Sequence, residues 1–172
     1  MPDAPGLELI RGEIEAAHPG AVLDSGFEQG CASLAIDPSQ TLAVLAWLRN
    51  SPGHEYSFLS SLHAADYLPA EPRFAVHYEL LNRDRVERIR VKALLADPGV
   101  DTLPEIASCC ELFPTAEFQE REVFDFFGIV FKGHPDLTRI LLPEDYVGWP
   151  LRRDFPVGGE PVTFTYNERQ YG

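Results

Sequence analysis

The side chains best suited to chemistry lie within residues 120–137, of sequence EREVFDFFGIVFKGHPDL. This stretch combines carboxylates, a guanidinium and an imidazole, namely Glu120, Arg121, Glu122, Asp125, His134 and Asp136. Carboxyl groups and histidine are the usual general acids and bases when burial or nearby charges shift their pKa values. The same groups also form buried ion pairs that fix one segment of a chain against another. The stretch therefore predicts either a proton-transfer site or a structural anchor.

Helical geometry decides which of these groups can meet. Proline is favoured at the first position of a helix and glycine just after its end, so Pro114 and Gly128 predict a helix over residues 114–127. A period of 3.6 residues gives this helix a broad apolar arc of Val123, Phe124, Phe126 and Phe127. The opposite, charged side holds Glu117, Arg121, Glu122 and Asp125. Arg121 is spaced to pair with Glu117 and Asp125.

Glu120 is the exception, because it projects into the apolar arc. An isolated buried carboxylate is very costly, so it must be paired or neutralised. We expect an arginine from the following segment, Arg139, Arg152 or Arg153, to pair with Glu120 and attach that segment to the helix. The alternative is a proton-transfer group with a raised pKa.

A catalytic set of Glu120, Asp125 and His134 is the less favoured hypothesis. The helical period separates Glu120 from Asp125 by about 140°. His134 lies in Gly-His-Pro-Asp, which is a turn by composition, and a single histidine is a weak metal signal. The common nucleotide-binding, zinc-protease and hydrolase motifs are absent from the sequence. We therefore expect these residues to have a structural or interface role.

The charge of the chain excludes several kinds of partner. Its 172 residues carry 14 Lys and Arg against 27 Asp and Glu, a net charge of −13. Such a surface repels nucleic acid and anionic lipid. The most apolar run, residues 42–48, is too short to span a bilayer, and the N-terminus lacks a signal-peptide pattern. We expect a cytoplasmic chain that associates with a membrane only through partners.

The three cysteines predict no cofactor. They lack metal-ligand spacing and cannot alone supply the four thiolates of an iron–sulfur cluster. We expect all three to be small buried residues, namely Cys31, Cys109 and Cys110.

The order of the elements predicts an α+β fold with a mostly antiparallel sheet and helices packed on one face. Helices are expected over residues 6–18, 39–49 and 102–113. The last of these rests on the capping-box spacing of Thr102 and Glu105, and it places Cys110 on the core side. Strands are expected over residues 21–27, 31–36 and 56–68. Alternation of apolar and polar residues predicts an antiparallel hairpin of residues 73–81 and 88–95, with His77 on its polar face.

We divide the chain into an α+β domain, residues 1–127, and an extended docking segment, residues 128–172. Prolines recur through the second part at positions 135, 143, 150, 156 and 161, which excludes a long helix or a central strand. Its large apolar side chains make disorder a poor explanation. We expect a partner surface to cover them.

Two motifs in this region resemble those of the C subunit of NADH-quinone oxidoreductase, the 30 kDa subunit family of respiratory complex I. The first falls on Glu120, Arg121, Glu122, Asp125, Gly128, Ile129, Gly133, His134, Pro135, Asp136, Leu137 and Arg139. The second falls on Pro150, Leu151, Arg152, Arg153, Asp154, Phe155 and Pro156. Three positions depart from the usual family residues, namely Phe118, Trp149 and Arg153.

The resemblance implies a subunit of the hydrophilic arm, in the quinone module on the cytoplasmic side of the cell membrane. It implies no cofactor in this chain, with FMN and iron–sulfur clusters in partner subunits, and docking on subunits D, B and I in a hetero-oligomer. The complex would transfer electrons from NADH to quinone and translocate protons, while this chain acts as a scaffold. The alternative is the homologous subunit of a membrane-bound nickel–iron hydrogenase or related dehydrogenase. A free-standing hydrolase or isomerase, and an acidic adaptor, are more distant alternatives.

Overall fold

The computed structural model describes residues 2–28, 30–99 and 101–156. Three α-helices are present in these ranges: α1, Ala4–Ala17; α2, Thr41–Asn50; and α3, Ala116–Phe127. Seven strands accompany them: β1, Val22–Glu28; β2, Cys31–Ile36; β3, Phe58–Asp66; β4, Phe74–Asn82; β5, Glu87–Leu95; β6, Glu105–Ala107; and β7, Val130–Lys132. The α+β fold class is therefore confirmed.

The main sheet has five strands in the order β1-β2-β5-β4-β3. Every neighbouring pair is antiparallel except β2 and β5, which run parallel. The predicted hairpin is present as β4 and β5, with Tyr78 opposite Val91 and His77 opposite Lys92. The sheet is thus mostly antiparallel, as the alternation of residues predicts.

One face of this sheet carries the core. Its apolar side chains pack with those of the helices in a single cluster that includes Leu7, Ile10 and Ile14 of α1, Val44, Leu45 and Leu48 of α2, and Leu34, Val76, Tyr78, Ile89 and Val91 of the strands. The buried apolar residues of α3, Ala116 and Val123, belong to the same cluster. The alternate strand residues lie on the opposite side, which we call the open face: His63, His77, Glu79, Arg88, Arg90 and Lys92.

The predicted helix over residues 102–113 is wrong. Glu105–Ala107 form strand β6, which pairs in parallel with β7 so that Ile106 lies opposite Phe131. The amides of Val130 and Ser108 extend this pairing, donating to Pro104 O and Lys132 O respectively. Pairing with β7, which follows α3 in the chain, outweighs the local preference for a helix. Thr102 and Glu105 therefore form no capping box.

The cysteine expectations change with this correction. Cys109, rather than Cys110, is fully buried, because a turn and not a helix follows β6. Cys110 is half-buried, and Cys31 is exposed at the start of β2, so the expectation that all three are buried is wrong.

Residues 133–156 contain no helix or strand. Ile129 and Phe131 are nevertheless buried in the core, so the chain remains part of the packed structure beyond α3. The boundary at residue 128 stays a prediction, and residues 157–172 of the expected docking segment lie outside the described residues.

Candidate functional site

Asp125 is the centre of the contacts made by the first motif. Its side chain is fully buried, and its Oδ2 accepts hydrogen bonds from the amides of Ile140, Leu141 and Leu142 at 3.1, 2.7 and 2.9 Å. Its Oδ1 lies 2.8 Å from Nη1 of Arg139. Burial alone would raise the pKa of Asp125, but these donors together hold it below its ordinary value. The carboxylate is therefore ionised and neutralised by Arg139.

Arg139 connects the same site to the chain that follows. Its Nη1 also donates to Asp125 O, and its Nη2 donates to Tyr146 O and Gly148 O at 3.1 and 3.2 Å. The guanidinium lies 4.6 Å from the ring centroid of Trp149, a cation–π distance. One arginine thus fixes the path of residues 139–149 against α3.

These contacts overturn the expected location of Asp125. The helical projection places Asp125 on the charged side of α3, opposite the apolar arc, whereas residues 139–142 fold over that side and bury Asp125. Arg121, expected to pair with Glu117 and Asp125, instead donates to Thr138 O, Thr138 Oγ1 and Arg139 O at 3.0–3.1 Å. Glu122 is the exposed carboxylate of this helix.

The expected pairing of Glu120 with an arginine is also wrong. Glu120 is fully buried as predicted, but its Oε1 accepts the amide of Cys109 at 2.8 Å. Its Oε2 accepts the thiol of Cys110 at 3.5 Å. A backbone amide from the turn after β6 takes the place of the expected guanidinium. Glu120 therefore fastens α3 to this turn rather than to the C-terminal segment.

His134 lies close to Glu120. The two residues and Cys110 offer ligand atoms that lie within 4.8 Å of one another. However, Nδ1 of His134 accepts the amide of Asp136 at 3.0 Å, so Nε2 carries the proton and donates to Glu117 O at 2.9 Å. Both ring nitrogens are engaged, and a metal ion could bind only by displacing one of these bonds.

The rest of this turn positions the histidine. Gly133 has φ of 85°, and the amide of His134 donates to Phe131 O at 3.2 Å. Pro135 and Asp136 are exposed, whereas Leu137 packs against the core. The turn thus fastens the chain to the N-terminal half of α3.

The second motif holds the C-terminal end of α3. Arg152 Nε donates to Phe127 O at 2.6 Å, and the amide of Leu151 donates to Phe126 O at 3.2 Å. Both acceptors are carbonyls in the last turn of the helix, which lack partners within it. Gly128 ends the helix with φ of 68°, as its position in the sequence predicts. Trp149 packs on it so closely that a Cβ there would lie 2.5 Å from Cε2 of the ring.

Arg153 and Asp154 of this motif join a cluster of charged residues around the buried Arg73. Arg73 binds Asp66 through Nε and Nη2 at 3.0 and 2.8 Å, and its other contacts reach Asp97 and Asp154, each at 2.8 Å. The amide of Arg153 donates to Asp66 Oδ2 at 2.9 Å. Burial would raise the pKa of Asp66, but Arg73 and the amides of Leu68 and Arg153 hold it at about 2. The cluster ties residues 153 and 154 to β3 and β4.

Sequence reasoning missed Asp66, Arg73 and Asp97. Asp66 lies near the end of the predicted strand over residues 56–68, and Arg73 begins the next predicted strand, where a polar residue is ordinary. Nothing in their spacing indicates that they meet Asp154. Phe155 stacks on Tyr146 with ring centroids 6.3 Å apart, whereas Pro150 is half-buried and Pro156 is exposed.

The arrangement supports anchoring rather than catalysis. Among the described residues, Glu120 and His134 are close together, but Asp125 is bound to Arg139 and to three backbone amides. The hypothesis of a joint site of Glu120, Asp125 and His134 is therefore not supported.

In the ranges that the structure describes, no helix is long and apolar enough to cross a membrane.

Comparison with known proteins assigns the chain to a family. Residues 34–161 match the model of the respiratory-chain NADH dehydrogenase, 30 Kd subunit. The chain belongs to this family. The match covers both motifs, so the predicted resemblance is confirmed.

Individual relatives of the 30 kDa subunit family agree. The C subunit of the NADH-quinone oxidoreductase of Roseiflexus castenholzii is 43% identical, over 92% of this chain and 89% of the relative. The corresponding protein of Herpetosiphon aurantiacus, of the same name, is 45% identical, over 83% of this chain and 81% of the relative. A solved chain of an archaeal membrane-bound sulfane sulfur reductase has a TM-score of 0.69 at 22% identity, covering 95% of this chain and 90% of that one. The last likeness concerns the fold alone.

Proposed function

We propose that this chain is a scaffold subunit, without a redox centre, in the hydrophilic arm of an NADH-quinone oxidoreductase. It supports electron transfer from NADH to quinone, coupled to proton translocation, as part of the quinone module. The relatives named above, both C subunits of this enzyme, support the choice of complex. The observation that carries the scaffold role is a segment, residues 133–156, that is fixed to α3 yet presents large apolar side chains to solvent.

Four large apolar side chains of this segment and of α3 are exposed. Leu141 is 61% exposed, Val147 88% and Leu151 54%, and Phe118 on α3 is 60% exposed. We call these four residues the apolar docking surface. Exposed apolar side chains that are gathered on one surface mark a binding site for another protein, and we propose that these four act together in this way. Arg139, Arg152 and Arg153 hold the backbone of this segment through the contacts described above, so the surface is formed before a partner arrives.

Preorganisation of this kind favours binding. A flexible segment must lose conformational entropy when it docks, whereas one already fixed by hydrogen bonds loses less. Asp125 contributes most, because it orders four consecutive residues through one carboxylate. The hydrogen bonds and ion pairs of α3 and of the two motifs thus order a surface that a partner can bind.

The cofactors of the complex are proposed to lie in partner subunits, as FMN and iron–sulfur clusters. The sequence has three cysteines, fewer than the four that a cluster takes. Burial raises the pKa of Cys109 and Cys110, which disfavours the thiolate form that binds metal. The partners are proposed to be subunits D, B and I in a hetero-oligomer, held peripherally at the cytoplasmic side of the cell membrane.

The test is to express the tagged full-length chain in its native host, solubilise membranes gently and identify co-purifying proteins by mass spectrometry. We expect subunits B, D and I together with NADH-dehydrogenase subunits. Leu141→Glu places a charge on the apolar docking surface and is expected to lose these partners. Leu9→Glu is the matched control, because Leu9 on α1 is 62% exposed, and it is expected to retain them.

Two outcomes would contradict the proposal. A chain that purifies alone as a soluble monomer would remove the scaffold role. Recovery of a nickel-bearing large subunit would instead favour the hydrogenase alternative.

A further inference from the structure

A pocket lies between the outermost strand of the main sheet and the last helix. β3 ends the sheet beyond β4, and α3 packs against it. The pocket has a volume of about 300 Å³, and its apolar walls come from both elements and from the C-terminal segment: Leu62, Ala64, Val123, Phe126, Phe127 and Leu151. This volume is at the small end of the range for ligand sites, so it suits one large apolar side chain rather than a cofactor.

The walls of this pocket are fixed by hydrogen bonds within the chain. On the strand side, the amide of Leu62 donates to Oε1 of Gln119, which joins β3 to α3. On the segment side, the amide of Leu151 donates to Phe126 O at 3.2 Å, which joins the C-terminal segment to α3. A partner that fills the pocket therefore has little of this chain to order on binding.

One negative charge lines the pocket. Its acidic and basic side chains are Glu122 of α3 and His63 of β3. Glu122 is exposed and forms no ion pair with another residue of the described ranges. Desolvation lowers the pKa of His63 below its ordinary value, so this histidine adds no positive charge at neutral pH. The pocket thus combines apolar walls with an unpaired carboxylate.

The arginines of the neighbouring segments are engaged elsewhere. Three of them donate to backbone carbonyls, at residues 138–139, 127 and 68 respectively: Arg121, Arg152 and Arg153. Arg90, whose charge acts on His63, is paired with Glu79. None of these four arginines lines the pocket. Glu122 is therefore available to a cation of another chain.

We propose that this pocket binds an apolar side chain of a partner subunit, and that an adjoining Lys or Arg of that subunit pairs with Glu122. The inference rests on the proposed function and adds to it the chemistry of the partner. Leu151 belongs both to the pocket wall and to the apolar docking surface, so a partner on that surface also meets the pocket.

The charge of the chain favours this occupant. The stem of a Lys or Arg side chain can lie along apolar groups while its charged head meets a carboxylate. A net charge of −13 also attracts a basic segment at long range and repels an acidic one. An apolar side chain in a preformed pocket is the usual centre of an interface, so its loss should weaken binding strongly.

The first test is photo-cross-linking from the pocket in the intact complex. Ser61 lines the pocket, and a benzophenone amino acid is placed there in the full chain, expressed in its native host. We expect mass spectrometry to find it joined to one other subunit, with a Lys or Arg within about four residues of the joined position, which is one helical turn. Glu122→Arg should then lose this subunit, and replacing that Lys or Arg by Glu should restore it.

Other products would overturn the inference. A cross-link to a second copy of this chain, or to residues 157–172, would identify a different occupant. A partner peptide without Lys or Arg near the joined position would contradict the pairing with Glu122. Absence of any product in the assembled complex would show that the pocket is uncovered.

Variants of the pocket give the second test. Ala64→Phe fills the pocket with a side chain of this chain and is expected to lower retention of the partner on the order of ten-fold. Ala65→Phe is the matched control, because the next residue of a strand points to the opposite face. Thermal unfolding of both variants separates loss of binding from loss of folding.

Charge reversal tests the pairing with Glu122 separately. Glu122→Arg is expected to lower retention of the partner in moderate salt roughly five-fold. Asp84→Arg, at an exposed carboxylate of the turn between β4 and β5, changes the net charge equally and should retain the partner. If Ala64→Phe and Glu122→Arg retain every subunit while Leu141→Glu loses them, the pocket inference fails and the proposed function stands.

Discussion

Arg139 Nη1 lies 2.8 Å from Oδ1 of Asp125, a carboxylate with no solvent exposure. This pair joins the last helix to the segment that passes over it. The carboxylate also accepts three consecutive amides, so its loss would affect backbone and side-chain contacts together.

Asp125→Asn is expected to destabilise the chain by about 3–5 kcal/mol, because it removes the charge from a fully buried pair partner and leaves the half-buried guanidinium of Arg139 without a counter-charge. Urea unfolding measures the change in free energy, and limited proteolysis reports release of residues 140–147. Glu122→Gln, at an exposed carboxylate of the same helix, is the control and should change stability by less than about 0.5 kcal/mol. Equal effects of the two substitutions would contradict the anchoring role of Asp125.

Gly128→Ala and Gly133→Ala form a second matched pair. Both glycines have positive φ, at 68° and 85°, so each substitution costs about 1–2 kcal/mol of backbone strain. A Cβ at Gly133 meets no atom within 4 Å, whereas one at Gly128 would lie 2.5 Å from the Trp149 ring. We expect Gly128→Ala to cost at least about 3 kcal/mol, with a shift of tryptophan emission at equilibrium. Identical stabilities would show that the ring moves freely.

The stability of the chain should fall as pH is lowered from about 6.5 towards 4.5. The pKa of His77 is about 3 in the folded chain, because it is buried and lies near His63, Lys92 and Arg90, and it is near 6.5 when unfolded. Between these values the unfolded state binds more protons, so the free energy of unfolding decreases by up to about 1.4 kcal/mol per pH unit. His77→Gln should flatten this slope in urea titrations at successive pH values. Parallel slopes for variant and wild type would exclude His77 as the cause.

Glu120→Gln should make Cys110 more reactive. Burial raises the pKa of this thiol to about 11, and the charge of Glu120 adds to the rise. Removing that charge increases the thiolate fraction, so alkylation at pH 8.5 should be several-fold faster. Peptide mass spectrometry separates Cys110 from the exposed Cys31, whose rate is the control. An unchanged rate at Cys110 would indicate that access, rather than charge, limits its reaction.

The sequence predicts the parts of the fold that depend on local patterns. Alternation predicts the β4–β5 hairpin, and Gly128 marks the end of α3. The predicted helix over residues 102–113 is wrong because strand β6 forms only through pairing with β7, more than twenty residues later in the chain. Its local sequence, with a capping-box spacing, favours a helix and contains no sign of that partner.

In the candidate site, too, the sequence predicts the features that depend on local patterns and not those that depend on distant segments. A helical projection correctly buries Glu120, because its neighbours on that face are apolar. It assigns Asp125 to solvent because a projection considers one helix alone, and residues 139–142 cover the other side. The expected partner of Glu120 is wrong for a related reason. An arginine can be identified from the sequence as a possible partner, whereas almost every residue has a backbone amide, so the sequence does not indicate which one donates.

The hydrogen bond from the amide of Arg153 to Asp66 joins positions 87 residues apart. Closing so long a loop is entropically unfavourable and slow compared with forming the hairpin between them. During synthesis the sheet emerges first, so Asp66 and Arg73 can already be paired when residue 153 leaves the ribosome. The C-terminal segment can then close onto a sheet that has already formed.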